Sequence, residues 1–429
     1  MEILLVNPGE KSPYPAMGLA ELAAFIKNHG FSVGIVDFSR PETTEEDITD
    51  SGAKIVGISV PCGLVARGLA LASHVKENMN ASVVFGGYYP TFCYSECLAN
   101  DNVDFCVLGE GELPFLKLAN LLLRQKGTLR MVPGIAYKGE EGVVVNKRVT
   151  VPNLDFLPDP AFDLLFLERY PQKEEGKLVA TLSTGRGCSF GCIYCSQSAF
   201  WERRVRFRSV SRILQILNTL LGRYPANYLR ILDDIFPMRP RVSLEIASML
   251  SAKGIDWECQ ARIDVVEEEL LKEFSKNRLD RIFFGVESGS PKIQQILGKK
   301  LDPDKVKRII SAAKKLGLRV KVSFQLGTPG ETSEDVDMSI KLARELEADD
   351  IALFVSTPFF GTPLYNMAVE KGLITLLDPD DCDPSTVTMG TGELSAESVK
   401  REAERFLWEV PNSTWGHHSK KGRILRSLL

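Results

Sequence analysis

The sequence predicts an α/β protein in two halves: an N-terminal doubly wound, Rossmann-like domain, then a partial (β/α)6 TIM-type barrel with a short C-terminal tail. Three observations carry this. Short apolar runs alternate with amphipathic stretches from the first residues, which implies parallel strands joined by crossover helices. About five strands fall within roughly 125 residues, a density that suits an open doubly wound sheet. Six further β–α units follow in roughly 190 residues, too few for a closed eight-unit barrel.

The elements follow in order. "EILLVN" (2–7) reads as a buried strand, "GLAELAAFIKNHG" (18–30) as a helix closed by Gly30, and "FSVGIVDF" (31–38) as the next strand. Strands are expected at 54–60, 82–87 and 103–109, with helices near 64–78, 91–98 and 111–125. "GIAYKGEEGVVVNKR" (134–148) looks like a hairpin, and the four prolines of 152–172 mark a linker. The second series has strands at 178–184, 228–232, 256–260, 280–286, 319–326 and 350–356. Its helices fall near 208–222, 239–252, 266–276, 302–316, 332–347 and 363–371, and a last one near 395–409. The expected boundaries are 1–132 for the first domain, 133–172 for hairpin and linker, 173–372 for the barrel and 373–429 for the tail.

Composition narrows the classes. The chain has 429 residues, 44% hydrophobic and 25% charged, with a net charge of −4. That balance supports neither a nucleic-acid nor a membrane partner. "MEILLVNPGE" lacks a signal peptide's basic start, and no stretch of about 18 apolar residues occurs. Nine cysteines, an odd number, without a secretory signal suggest a reducing, cytoplasmic setting with thiols or metal ligands rather than disulfides.

The chemistry concentrates in "STGRGCSFGCIYCSQ" (183–197), directly after the first barrel strand. Cys188, Cys192 and Cys195 have the spacing C-x3-C-x2-C among glycines. Zinc sites usually take four ligands as two pairs. Three thiolates on a tight loop suit a cubane iron–sulfur cluster with one iron left open. The bland alternative is a chance grouping of core cysteines.

This segment resembles the cluster motif of radical S-adenosylmethionine (SAM) enzymes. The resemblance implies a 4Fe–4S cluster on the three cysteines, an open iron that chelates SAM, and reductive cleavage of SAM to a 5′-deoxyadenosyl radical. Tyr194 matches the aromatic position beside the adenine. Asp233 and Asp234 in "ILDDIFPM" (231–238) stand where many members carry Gly-Gly-Glu, a departure from the usual contact to the SAM amino group. Arg262 in "CQARID" (259–264) is a fork-shaped donor for the SAM carboxylate, and Glu287 and Ser288 in "GVESGS" (285–290) offer polar contacts. Gly327, Gly330 and Glu331 in "FQLGTPGET" (324–332) resemble the segment that flanks the adenine, and "TPFFGTPLY" (357–365) resembles the sixth-strand segment. Singly, each has an ordinary reading: a salt-bridged arginine, a helix-terminal carboxylate, a capping turn. Their order after the cysteine turn makes the joint case.

The first-domain loops resemble the cobalamin-binding domain of one large radical SAM branch. They are a proline-rich loop ending in Gly-Leu (7–20, with Tyr14 and Gly18), a "GIS" strand ending at Ser59, "GGYYPTF" (86–92, with Gly86, Gly87 and Thr91) and "GEGELPF" (109–115, with Gly109, Glu110 and Gly111). The loop 7–18 contains no histidine, so a histidine ligand to cobalt from that loop is excluded; Tyr14 or a residue of 61–66 faces the lower side in this reading. Cys93-x3-Cys97 tempts a second metal site, though buried thiols are commoner. Cys259 falls on a barrel strand, where it could approach a substrate, and "TWGHH" (414–418) reads as a flexible tail segment, with a metal or substrate contact as the alternative.

The resemblance implies a cobalamin-dependent radical SAM methyltransferase. One SAM methylates the cobalamin; a second yields the radical that removes hydrogen from an unactivated carbon, which then takes the methyl group. Substrates in that branch include peptides, lipids, porphyrin-like rings and antibiotics, and a peptide or protein side chain is one candidate for the small-molecule or macromolecular partner here. An electron donor such as ferredoxin or flavodoxin is implied. The alternatives are an oxidative cyclase or ring-rearranging enzyme of the same family and a non-catalytic cobalamin carrier.

Overall fold

The computed structural model describes residues 1–9, 14–170, 173–174, 176–374 and 377–416. They form two compact units, Met1–Thr181 with Arg206–Ala226, and Leu182–Val205 with Asn227–Leu429.

The first unit is built on β1 (Ile3–Asn7), α1 (Met17–Asn28), β2 (Val33–Asp37), the short α2 (Glu46–Thr49), β3 (Ile55–Ser59), α3 (Val65–Asn78) and β4 (Ser82–Gly86). The helix expected near 91–98 is two short ones, α4 (Tyr88–Phe92) and α5 (Tyr94–Ala99), before β5 (Phe105–Val107) and α6 (Glu112–Arg124). The hairpin is present as β6 (Ile135–Gly139) and β7 (Gly142–Val145), and it extends the sheet through an antiparallel pairing of β5 with β6. The strand order is β2-β1-β3-β4-β5-β6-β7, with the first five parallel. Ile3, Leu4, Leu5, Val6, Val83, Val84 and Phe85 are buried, the continuous apolar strands of a sheet covered on both faces.

The proline-rich linker forms three single 3-10 turns within Leu154–Arg169. The strands β8 (Lys173–Glu174) and β9 (Lys177–Leu182) follow, then β10 (Gly185–Arg186), α7 (Ser196–Phe200), β11 (Arg206–Phe207) and α8 (Val210–Arg223). Helix α8 belongs to the first unit, where Arg212 and Thr219 both meet the carboxylate of Asp159 at 2.5 Å.

The second unit continues with β12 (Tyr228–Ile231), α9 (Pro240–Ala252), β13 (Asp256–Ala261), α10 (Glu268–Lys276), β14 (Leu279–Glu287), α11 (Pro291–Leu297), α12 (Pro303–Lys315), β15 (Arg319–Leu326), α13 (Ser333–Glu345), β16 (Asp350–Val355), α14 (Pro363–Glu370), α15 (Ala396–Glu409) and β17 (Ser413–Trp415). Neighbouring strands from β12 to β17 pair in parallel. Leu182, the last residue of β9, accepts the Leu232 amide beyond β12 at 2.8 Å. The expected β–α units are present. Besides the short α2, β8, β10, α7 and β11, the additions to the expected elements are α11, capped by Ser290 with Pro291 in its first turn, and β17, which pairs with β16. Thr332 and Asp335 form a capping box at the start of α13. Phe236, Trp257 and Phe274 pack with ring centroids 5.2–6.0 Å apart and anchor the loop after β12 in the core. Among the described residues no helix is long and apolar enough to cross a membrane.

Candidate active site

The cysteine turn starts where β9 ends, at the C-terminal side of the parallel strands. Its entrance is fixed by Asp233, which follows β12. The Asp233 carboxylate accepts the Thr184 amide at 2.6 Å, the Gly185 amide at 3.3 Å and the Thr184 hydroxyl. Gly187 lies at φ +92°, and a Cβ there would run into the Arg204 carbonyl, so only glycine fits. The far side is docked on the end of α11: the Ile193 amide donates to the Leu297 carbonyl at 3.2 Å, and the Leu364 amide donates to the Ile193 carbonyl at 3.0 Å.

Cys188 and Cys192 are buried and Cys195 is half-buried. Burial pushes the Cys188 thiol up, against the Phe190 amide that favours the thiolate. Burial pushes Cys195 up to about 11, opposed by the Ser198 and Gln197 amides at the start of α7. Cys192 receives its own donor, Arg262 Nη1, at 3.2 Å. The backbone amides beside Cys188 and Cys195 and the Arg262 donor on Cys192 all favour the thiolate, the form that ligates a cluster. Among the described residues no group of three or more His, Cys, Asp or Glu is gathered as a single-ion cage. The donor set, three thiols on one turn, fits an iron–sulfur cluster.

Arg262 follows β13 and is buried. Its Nε and Nη2 grip both oxygens of Asp264, at 3.0 and 2.7 Å, and its guanidinium carbon lies 3.9 Å from the centre of the Phe190 ring. The fork expected for a SAM carboxylate is thus engaged with Asp264.

Glu287, at the end of β14 and at φ +71°, is equally engaged. Its Oε1 accepts from the Tyr194 hydroxyl at 3.0 Å and from Lys299 Nζ at 2.8 Å, and its Oε2 accepts from the Ser323 hydroxyl at 3.0 Å. Burial, then the Glu287 charge, hold the Tyr194 phenol well above its ordinary range. Ser288 faces Ser339, with 3.1 Å between the hydroxyls. Asp234, beside the occupied Asp233, has its carboxyl pushed up to about 6 by burial and then by the Asp233 charge. The turn, Asp233, Asp234, Arg262 and Glu287 thus converge in one unit.

Gly327 and Gly330 sit on the loop after β15. The Gly327 amide donates to Glu331 at 2.5 Å and the Gly330 amide to the Thr391 carbonyl at 2.7 Å. Glu331 is fully buried, and burial raises it to about 8. These contacts fix the shape of the loop.

In the first unit the strand order reverses between β1 and β3, so the crevice lies beyond Asn7 and Ser59. Tyr14 lies in the loop there, and Gly18 in the first turn of α1. Gly86 pairs with Ser59 in register. Gly87 at φ +94° brings its backbone against Ser59 and Val60, where a Cβ would lie 3.1 Å from the Ser59 hydroxyl. Thr91 joins two loops: its hydroxyl donates to the Gly87 carbonyl at 2.7 Å and accepts the Gly109 amide at 2.9 Å. Gly111 caps α6. Glu110 is turned to its own unit, accepting from the Val151 amide and from Arg206, each at 2.7 Å.

Sequence reasoning missed Lys299, Asp264, Phe190 and Ser323. Lys299 follows a helix-closing glycine, where a lysine ordinarily serves the helix dipole, so nothing in the sequence marked it. Among the other cysteines, the free thiols of Cys97 and Cys106 are hydrogen-bonded to one another, and both are buried. Cys259 is buried in β13 with its thiol held well above the usual range, first by burial. His417 and His418 lie outside the described residues.

Comparison with known proteins places two domain families on these units. Residues 182–343 match the radical SAM superfamily, and residues 10–119 match the B12 binding domain. An uncharacterised methyltransferase of Pyrococcus horikoshii is 32% identical over 399 residues, 88% of this chain and 85% of that protein. An anaerobic magnesium-protoporphyrin IX monomethyl ester cyclase of Rubrivivax gelatinosus is 27% identical, covering 84% of this chain and 69% of the relative. The radical SAM methyltransferase TsrM of Kitasatospora setae, solved with cobalamin and a 4Fe–4S cluster, shares the fold at a TM-score of 0.74 and 16% identity, over 88% of this chain and 80% of that one.

Proposed function

Because this chain belongs to the cobalamin-dependent radical SAM methyltransferase family, we propose that it is a C-methyltransferase that acts on an unactivated carbon. The family's cofactors are a 4Fe–4S cluster, SAM and cobalamin. The observation that carries the reading is the turn after β9, which holds Cys188, Cys192 and Cys195 within eight residues, fixed at its entrance by Asp233 and with Arg262 donating to Cys192 at 3.2 Å.

When bound, the cluster supplies an electron to SAM and the cobalamin carries a methyl group. The rest falls to the chain. Cys188, Cys192 and Cys195 would hold the cluster. Asp233 fixes the entrance of the turn. Glu287, held by Lys299 and Ser323, keeps Tyr194 in place beside the third cysteine. Burial of these groups excludes water from the reacting centre. In the first unit, the loops beyond Asn7 and Ser59, joined through Gly87 and Thr91, would hold the cobalamin.

The test is an anaerobic assay of the reconstituted, cobalamin-loaded protein with SAM and a low-potential reductant, read by mass spectrometry. The reading predicts 5′-deoxyadenosine together with S-adenosylhomocysteine. The cyclase relative supports a second reading, an oxidative cyclase, which predicts 5′-deoxyadenosine without S-adenosylhomocysteine. Neither product would leave the carrier reading.

A further inference from the structure

We infer that Arg262 is a positioning residue for the iron–sulfur cluster itself: its bond to Cys192 sets the cluster's reduction potential. The inference rests on the reading of the cysteine turn above and deepens it.

Four contacts carry it. Nη1 donates to Cys192 Sγ at 3.2 Å. Nε and Nη2 are fixed on Asp264 at 3.0 and 2.7 Å, so the guanidinium plane cannot swing away without breaking a two-point ion pair. The ring of Phe190, inside the turn between the first two cysteines, lies under the guanidinium, with its centre 3.9 Å from the guanidinium carbon. The Lys299 carbonyl stands 3.5 Å from Nη2 and closes the remaining side. The side chain is 7% exposed, so water screens its charge poorly.

A cluster gains one negative charge when it is reduced. A fixed cation with an N–H on a ligand sulfur stabilises that state more than the oxidised one, and hydrogen bonds to sulfurs are a recognised lever on cluster potentials. The fork geometry is what lets one side chain hold Asp264 and Cys192 together. Lysine, a shorter point donor, cannot do both.

The experiment is a potentiometric titration of the anaerobically reconstituted protein without SAM, followed by the EPR signal of the reduced cluster. Iron and sulfide content and SAM affinity are measured alongside. Arg262→Gln is expected to bind the cluster and to lower the reduced-to-oxidised ratio at a fixed potential about tenfold, a one-electron shift of about 60 mV to more negative values. Arg262→Lys is expected to shift the same way by less. If Arg262→Gln does not assemble a cluster, Arg262→Lys decides alone, and an unchanged midpoint overturns the inference. A normal cluster in Arg262→Gln with an unchanged midpoint also overturns it; weakened SAM binding in that case would assign the arginine to SAM. A wild-type protein that takes up no iron would overturn the reading of the turn, and the inference with it.

Discussion

Tyr194 donates its phenolic hydrogen to Glu287 Oε1 across 3.0 Å, and so ties the residue ahead of the third cysteine to the end of β14. The same oxygen accepts from Lys299 Nζ at 2.8 Å, and both members of that ion pair are buried. The tyrosine is therefore held by a carboxylate that is itself held, and the cysteine turn inherits the rigidity of a barrel strand.

Lys299→Met leaves the Glu287 carboxylate buried and uncompensated. It is expected to destabilise the protein by about 3–5 kcal/mol, measured by denaturant unfolding. Adding Glu287→Gln to Lys299→Met should restore most of that loss. An additive double variant would show that the two side chains are not coupled.

Asp233→Ala should leave the Thr184 and Gly185 donors without their acceptor, at a cost of about 1–3 kcal/mol for each buried group. The expected outcome is poor iron uptake in reconstitution, with cobalamin binding unchanged. Asp233→Asn, which keeps one acceptor oxygen, should fall between the two.

Glu331 gives a pH dependence. Its folded pKa, about 8, lies above the unfolded value of 4.5, so the native state binds more protons between those limits. Stability from this group is present below about pH 4.5 and is lost as the pH rises towards 8. Glu331→Gln cannot ionise. Its melting temperature relative to wild type should rise between pH 5 and pH 8, and a flat difference across that range would refute the assignment.

Gly87 combines φ +94° with ψ −158°, a region that essentially only glycine occupies. Gly87→Ala is expected to cost about 1–3 kcal/mol and to weaken cobalamin binding while iron uptake stays normal. Equilibrium dialysis with cobalamin measures this.

Much of this was legible in the sequence because it is periodic or punctuated. Apolar strands covered on both faces and amphipathic helices betray themselves over ten or more residues, and the cysteine spacing needs no context. The strand β17 has three residues and no alternation to read, and it joins the sheet only because β16 offers it an edge. Lys299, Asp264 and Ser323 were invisible for another reason. Lys299 and Ser323 are ordinary polar residues whose roles depend on Glu287, 12 and 36 positions away in the chain, and Asp264, though only two residues from Arg262, has no spacing that marks it as the arginine's partner. Arg262 and Glu287 were found by position, as were Cys192 and Tyr194, but their partners Asp264, Lys299 and Ser323 were not. The sequence pattern pointed both at SAM, and the structure adds the side chains that hold each of them beside the turn.

The central claim is that Cys188, Cys192 and Cys195 hold the cluster while the first unit separately takes cobalamin. The most direct measurement is iron, sulfide and cobalamin content of the anaerobically reconstituted protein beside a variant with all three cysteines changed to alanine. The account predicts a 4Fe–4S cluster and bound cobalamin in the wild type, and cobalamin without iron in the variant. Equal iron in both proteins would contradict it.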